Sequence, residues 1–420
     1  MRVAYVGLVL GLLFLVRQAN ESSSPTKQSD SKDAVSALAA SQNQPYTQDW
    51  QTADPQTIGL VPANLQALDR DIALGQFGTL DSVTFIRCGK IGFDRSFPHD
   101  YGRIYRTRVK KKGPLNHDPT GEYNYFNPEF HPFFRGSDLH TMQSVTKTIT
   151  SVVIGIAIMR GDFPSDLDTP VMKYFADQKV ANLDDRKRRI TLRHLLTMTS
   201  GIEWHEDVHP SDPRNSVDIM ESRHDWVQYA IDPPMANEPG TVWKYNSGST
   251  QLLSYIFKRA TGKTVGEYAG NYLFKPLNIQ YHWKLTPTGL PDTEGGLYLS
   301  SRDLAKVGYL FLTNGKWKGT QIVSPEWVKA SITPHATTTE TPAQFGYSWW
   351  LHPYGDGSER FAWAAHGFGQ QHLVIFPDYD WIMVVTGWDI LPSKSDRERG
   401  WLERVLSTVD KQRGCDAREQ

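Results

Sequence analysis

Between Ser144 and Met159 the chain reads SVTKTITSVVIGIAIM, and its second half is apolar at nearly every position. A helix that is apolar all round rather than along one stripe is a buried one, so this segment is expected in the core. ITLRHLLTMTSG has helical spacing and predicts an amphipathic helix closed by Gly201. GSTQLLSYIFKRATG predicts another, closed by Gly262, with TVGEYAGNYLFKPL after it and SSRDLAKVGYLFLTNG further on. Nearer the two ends the pattern changes to strands. DSVTFIRCGKIGFDRSF holds two strand runs around Cys88-Gly89-Lys90, and HLVIFP and WIMVVTGW flank a turn at Asp378-Tyr379-Asp380. GWLERVLSTVDKQ predicts a last helix. Strands at both ends with helices between them predict an α+β fold. One antiparallel sheet is built from N- and C-terminal parts and flanked by helices, with a helical subdomain inserted over about residues 160–285.

The first residues follow neither pattern. Arg2 precedes an apolar-plus-glycine run from Val3 to Val16, and Arg17 follows it. The run is shorter than the roughly 20 residues of a membrane-spanning helix and suits a secretory signal, with an uncleaved anchor as the alternative. Residues 1–17 are therefore expected to send the chain to the periplasm or the exterior. Residues 18–57 are rich in Ser, Gln, Asn and Asp and read as a disordered spacer. The folded domain is expected over 58–410, with 411–420 as a tail. The segment Arg103–Gly136 mixes a basic run with Tyr123, Tyr125, Phe126, Phe133 and Phe134, which reads as a surface insertion capping a cleft. Basic groups with aromatics can also hold single-stranded nucleic acid. The net charge of −1 gives no general pull toward nucleic acid or acidic membranes, so the expected partner is a small molecule and no cofactor is implied. Two cysteines, Cys88 and Cys415, are too few for a cysteine zinc site; they either pair in an exported chain or remain two thiols.

Four motifs carry candidate chemistry. HEDVH at 205–209 has the spacing of zinc-protease ligands, which requires both histidines on one face of a helix. Gly201 before it and Pro210 and Pro213 after it break helix, so the string is expected to be a loop without metal. S-x-x-K occurs at Ser24, Ser29 and Ser144, but only the last opens an apolar helix. There Ser144 and Lys147 share one side, a buried lysine can take the serine's proton, and the helix N-terminus favours developing negative charge. Tyr245 ends a short run before a helix, where its phenol could shuttle protons to such a pair. His366, Gly367 and Phe368 precede a strand, and a backbone N–H there could hold an oxyanion. No G-x-S-x-G is present.

In combination these motifs resemble the serine β-lactamase and penicillin-binding-protein superfamily. The resemblance is to the class C-related hydrolases: family VIII carboxylesterases, D-aminopeptidases and 6-aminohexanoate-dimer hydrolases. It rests on the order of S-x-x-K, Tyr-Asn-Ser and Ala-His-Gly. It rests also on stretches such as RITLRHLLTMTSGIEW, PGTVWKYNSGSTQLLSYI, EGGLYLSSRDLAKVGYLFLTNG and FGYSWWL. It implies a β-lactamase/transpeptidase-like fold and a serine hydrolase that forms an acyl-enzyme on carboxylic esters or small amides. It implies Ser144 as nucleophile, Lys147 as base and Tyr245 as proton relay, with the N–H groups of Ser144 and Phe368 as oxyanion hole. Ser247, His366, Gly367, Trp204, Glu206 and His205 are then expected near substrate. A D-amino-acid-directed peptidase or weak β-lactamase is the alternative within the superfamily. A zinc peptidase or a non-catalytic penicillin-binding-like protein is the alternative outside that reading. Ser247 replaces the β-lactamase asparagine, and Ala365-His366-Gly367 replaces K-T-G, leaving His366 as a partial stand-in for a cationic lysine. Both departures favour esters or amides over antibiotics.

Overall fold

A computed structural model describes residues 50–108, 127, 131–208, 212–339, 342–354, 360–390 and 401–415. The apolar run Val3–Val16, the spacer up to residue 49, residues 109–126 and 128–130 of the insertion, and His209 lie outside the described residues. No helix among the described residues is long and apolar enough to cross a membrane.

The predicted hairpins form the centre of the molecule. β1 (Leu80–Arg87) and β2 (Lys90–Ser96) come from the N-terminal part. β8 (Ala336–Thr337), β9 (Gln344–Phe345), β10 (Trp350–Pro353), β11 (Phe361–Gly367), β12 (Gln371–Phe376) and β13 (Trp381–Gly387) come from the C-terminal part. They make one eight-stranded sheet in the order β2-β1-β13-β12-β11-β10-β9-β8, and every pairing in it is antiparallel. β3 (His140–Thr141), β4 (Tyr281–Trp283) and β5 (Leu297–Leu299) form a small second sheet, and β6 (Lys316–Trp317) pairs with β7 (Thr320–Gln321).

β12 and β13 read as continuous apolar runs because both sides of the sheet are covered. Leu373, Ile375, Ile382 and Val384 pack with α2 (Val145–Met159) and with α6 (Ser301–Leu312). The alternate residues Val374, Phe376, Met383 and Val385 pack with α1 (Pro62–Ala73) and α7 (Trp401–Leu406). Ile149, Val152, Val153 and Ile156 of α2 are at most 1% exposed, so this helix is buried all round, as its composition predicts.

Two boundaries differ from the sequence reading. Folded structure begins before residue 58: Trp50 is buried and donates from Nε1 to the Arg302 carbonyl, and Thr52 bridges Ile91. The tail is fastened as well, because Cys415 is disulfide-bonded to Cys88 and the Arg87 guanidinium donates to the carbonyls of Asp410 and Arg413. The helix expected to run to Gly201 is only α3 (Leu192–Leu196), capped by Thr191. Met198 takes a left-handed φ of 57° and Gly201 one of 76°, which turns the chain out of the helix. A Cβ on Gly201 would also lie 2.4 Å from the Asn237 carbonyl oxygen, so this glycine is needed for the turn and for the close approach. The two remaining helices used below are α4 (Ser216–Glu221) and α5 (Ser247–Thr261).

Candidate active site

Ser144 stands at the N-cap of α2, and its hydroxyl is not used for capping. The residue before it, Gln143, has φ 47°, a left-handed conformation that costs a non-glycine residue about 1–3 kcal/mol. The neighbouring strand end supports this turn. Gly367, the last residue of β11, lies so close that an added Cβ would meet the Met142 carbonyl oxygen at 2.4 Å. Only glycine lets β11 approach the Ser144 turn this tightly.

One turn along α2, Lys147 is 2% exposed, whereas Ser144 is half-buried and open to a cleft. Lys147 Nζ donates to Ser144 Oγ at 2.8 Å and to the Glu294 carbonyl at 2.7 Å, with the Glu294 carboxylate at 3.5 Å. It also lies 5.3 Å from the centre of the Tyr245 ring. Burial alone would lower the Lys147 pKa, but Tyr245, Glu294 and Glu206 outweigh it, and the ammonium is held above its ordinary value. Burial raises the Tyr245 phenol, against the lowering pull of Lys147 and of hydrogen bonding to Ser144.

The Tyr-Asn-Ser motif divides its labour. Tyr245 enters the cleft, Asn246 caps α5 by accepting from Ser249 N at 2.9 Å, and Ser247 is the first residue of that helix. Ser247 is fully buried and donates its hydroxyl to Glu206 Oε1 at 2.6 Å and its N–H to Oε2 at 2.8 Å. Trp204, 2% exposed, donates Nε1 to the same Oε2 at 2.7 Å. Ser247 and Trp204 thus hold Glu206, and it is Glu206 that lines the cleft. An ion pair of Asp207 with Lys244 at 2.7 Å fastens this loop beside Tyr245.

The cleft encloses about 290 Å³ and is lined by Ser144, Glu206, Tyr245, Trp350, His366, Gly367 and Phe368. Trp350 stacks on Tyr245 with ring centres 5.9 Å apart. On the far wall three imidazoles form a chain. His372 Nε2 faces Gln370 Oε1 at 2.9 Å, His366 Nδ1 faces His372 Nδ1 at 2.8 Å, and His352 Nε2 faces His366 Nε2 at 2.8 Å. The Gln370 oxygen can only accept, so His372 donates to it, His366 donates to His372, and His352 donates to His366. Burial, then the neighbouring imidazoles His372 and His352, push His366 well below its ordinary pKa. Both its ring nitrogens are engaged. This half-buried ring, with both nitrogens engaged, does not favour the cationic part expected of His366.

Residues 205–208 of HEDVH form no helix. His205 is exposed and contacts Glu203 at 3.2 Å. Glu221, further along the chain, is buried against Glu294. Among the described residues, the one grouping of three side chains with metal-ligand character is Cys88, Asp380 and Cys415, whose sulfurs are joined in the disulfide. Sequence reasoning did not find Glu294, Trp350, His352 or His372. Glu294 and Trp350 stand inside the stretches EGGLYL and FGYSWWL, but nothing local marks them as facing Ser144.

The beta-lactamase family model matches residues 134–403. The 6-aminohexanoate-dimer hydrolase of Paenarthrobacter ureafaciens is 26% identical over 277 residues, covering 61% of this chain and 68% of that protein. The lovastatin esterase of Penicillium rubens is 28% identical over 173 residues, covering 38% of this chain and 43% of that one. Among solved structures, the hydrolase EstCE1 superposes with a TM-score of 0.63 at 13% identity over 85% of this chain and 99% of its own. The D-stereospecific amidohydrolase from Streptomyces gives 0.56 at 19% identity over 81% and 97%; at these identities the likeness concerns the fold. The chain belongs to the beta-lactamase family, has the β-lactamase/transpeptidase-like fold, and is a hydrolase of the serine β-lactamase and penicillin-binding-protein superfamily.

Proposed function

We propose that this enzyme hydrolyses carboxylic esters or small amides through an acyl-enzyme on Ser144. The observation that carries this reading is the 2.8 Å contact of Lys147 Nζ with Ser144 Oγ beside Tyr245, at an accessible cleft. Once one proton has left the Lys147–Tyr245 pair, Ser144 Oγ attacks the carbonyl carbon and its proton passes to that pair. The oxyanion lies between the N–H groups of Ser144 and Phe368, which together contribute several kcal/mol. The pair returns the proton to the leaving alcohol or amine as its bond to carbon breaks. Water then attacks the acyl group, losing a proton to the pair, and Ser144 recovers its hydrogen as the acid departs.

Relatives named as an esterase and as an amide-dimer hydrolase support this substrate range. The far wall supports it too, because burial and the neighbouring imidazoles disfavour a charge on His366 that could grip a β-lactam carboxylate. Hydrolysis of p-nitrophenyl esters or small amides, with little turnover of nitrocefin, is the expected result. Nitrocefin turnover above that of the esters would overturn the preference. Intact-mass spectrometry after a serine-directed phosphonate should show one adduct that is absent in Ser144→Ala, and labelling that persists in the variant would refute the nucleophile. Export is part of the proposal, supported by the Arg2–Arg17 segment and by a disulfide suited to an oxidising compartment.

A further inference from the structure

The ionic surroundings of Lys147 continue behind the cleft. Glu294 sits in the turn Asp292–Gly296, and Asp292 Oδ1 shapes that turn by accepting from the N–H groups of Glu294 and Gly295 at 3.1 and 3.0 Å. Glu221, at the end of α4, hydrogen-bonds its carboxyl to that of Glu294, and Lys284 acts on Glu221 and on Asp292. Lys147, Glu221, Lys284, Asp292 and Glu294 are all 8% exposed or less. From its other sides Lys147 is met by Ser144, Tyr245 and Glu206.

Two hydrogen-bonded carboxyls this far from solvent do not both ionise. Burial and the Glu294 charge push Glu221 well above the ordinary carboxylate range, so Glu221 keeps the shared proton and donates it to Glu294. Glu294 meets Lys147 through both its carbonyl and its carboxylate.

We propose that Glu294, backed by the protonated carboxyl of Glu221, is a positioning residue that fixes where Lys147 sits and the pH at which Ser144 becomes nucleophilic. The proposal rests on the reading of Ser144 as nucleophile. A nearby anion favours the ammonium and so delays loss of the proton that must leave the Lys147–Tyr245 pair. Removing that anion moves the onset of reactivity to lower pH.

The test is the rate of phosphonate labelling of Ser144 from pH 6 to 10 in the full chain. In the unmutated protein the rate rises with pH. Glu294→Gln should shift the midpoint of that rise down by about one unit or more. Glu221→Gln should leave the midpoint in place, since a neutral amide replaces a neutral acid. A Glu294→Gln profile that falls uniformly without shifting would reduce Glu294 to a structural role and overturn the proposal. So would an equal shift in Glu221→Gln. Should Glu294→Gln not fold, infrared spectroscopy of the unmutated protein provides the second readout. A protonated carboxyl C=O stretch at neutral pH that vanishes in Glu221→Gln supports the pair, and its absence overturns it. If Ser144→Ala is labelled like the unmutated protein, the hydrolase reading itself has failed; if only the midpoint is unmoved, this proposal alone has.

Discussion

The two walls of the cleft solve the same problem differently. On one wall Lys147 is buried among Tyr245, Glu294 and Glu206, which outweigh the lost water and hold its ammonium above its ordinary value. On the other, the half-buried His352, His366 and His372 meet one another rather than a carboxylate, and removal from water pushes each of them below its ordinary pKa instead. Burial penalises the charged form in both places, so the outcome depends on what stands within about 4–6 Å. On the proposed reading the ionic wall activates Ser144, and the histidine wall supplies shape and hydrogen-bond order.

Breaking the ionic wall should have the largest effect. Lys147→Ala is expected to lower kcat/KM for a p-nitrophenyl ester roughly a thousandfold or more, because it also leaves Glu294 as an unpaired buried anion. Retained phosphonate labelling at the normal rate would contradict this. Tyr245→Phe removes the relay and keeps the ring on Trp350, and a loss of about 10² to 10⁴ in kcat is expected by the same assay.

The histidine wall should give a smaller and pH-dependent effect. The His372 pKa is lowered from 6.5 to about 4, so the neutral form is favoured in the fold. The stability it contributes is complete above about pH 6.5 and is lost as pH falls from there through about 4. Thermal melts should decline across that window, and His372→Gln should flatten the decline while changing kcat/KM near pH 8 by tenfold or less. A decline that is just as steep in the variant would show that the histidine chain does not carry it.

The smallest effect on the cleft is expected far from both walls. In β-register Arg87 pairs with Trp381 and Phe376 also pairs with Trp381, while the site lies at Gly367 and Gln371. The Cys88–Cys415 bridge therefore sits at the opposite end of these strands. Cys88→Ser should cost about 2–4 kcal/mol in a urea titration and leave kcat/KM at 25 °C nearly unchanged. A large loss of activity without unfolding would mean that the two ends are coupled.

What was legible in the chain followed from short-range periodicity. SVTKTITSVVIGIAIM gives a helix whose first turn places Ser144 and Lys147 together, because i and i+3 share a face. The runs HLVIFP and WIMVVTGW give strands covered on both sides. Tyr-Asn-Ser announced a residue at a helix entrance but not that Ser247 would turn away from the cleft to hold Glu206. ITLRHLLTMTSG looked helical to its glycine because apolar spacing cannot register the left-handed turn at Met198, which contacts with residues 235–237 and 244 sustain.

The sequence by itself determined most of the elements, the Ser144–Lys147 pairing and the family. Each of these depends on residues a few positions apart, or on motif order. The tertiary structure alone decided the charge states. Glu294 is 147 residues from Lys147, and the histidine chain forms only when β10, β11 and β12 lie side by side. Charge in a buried site is set by which groups replace water around it, and that is a property of the packed fold rather than of any local stretch.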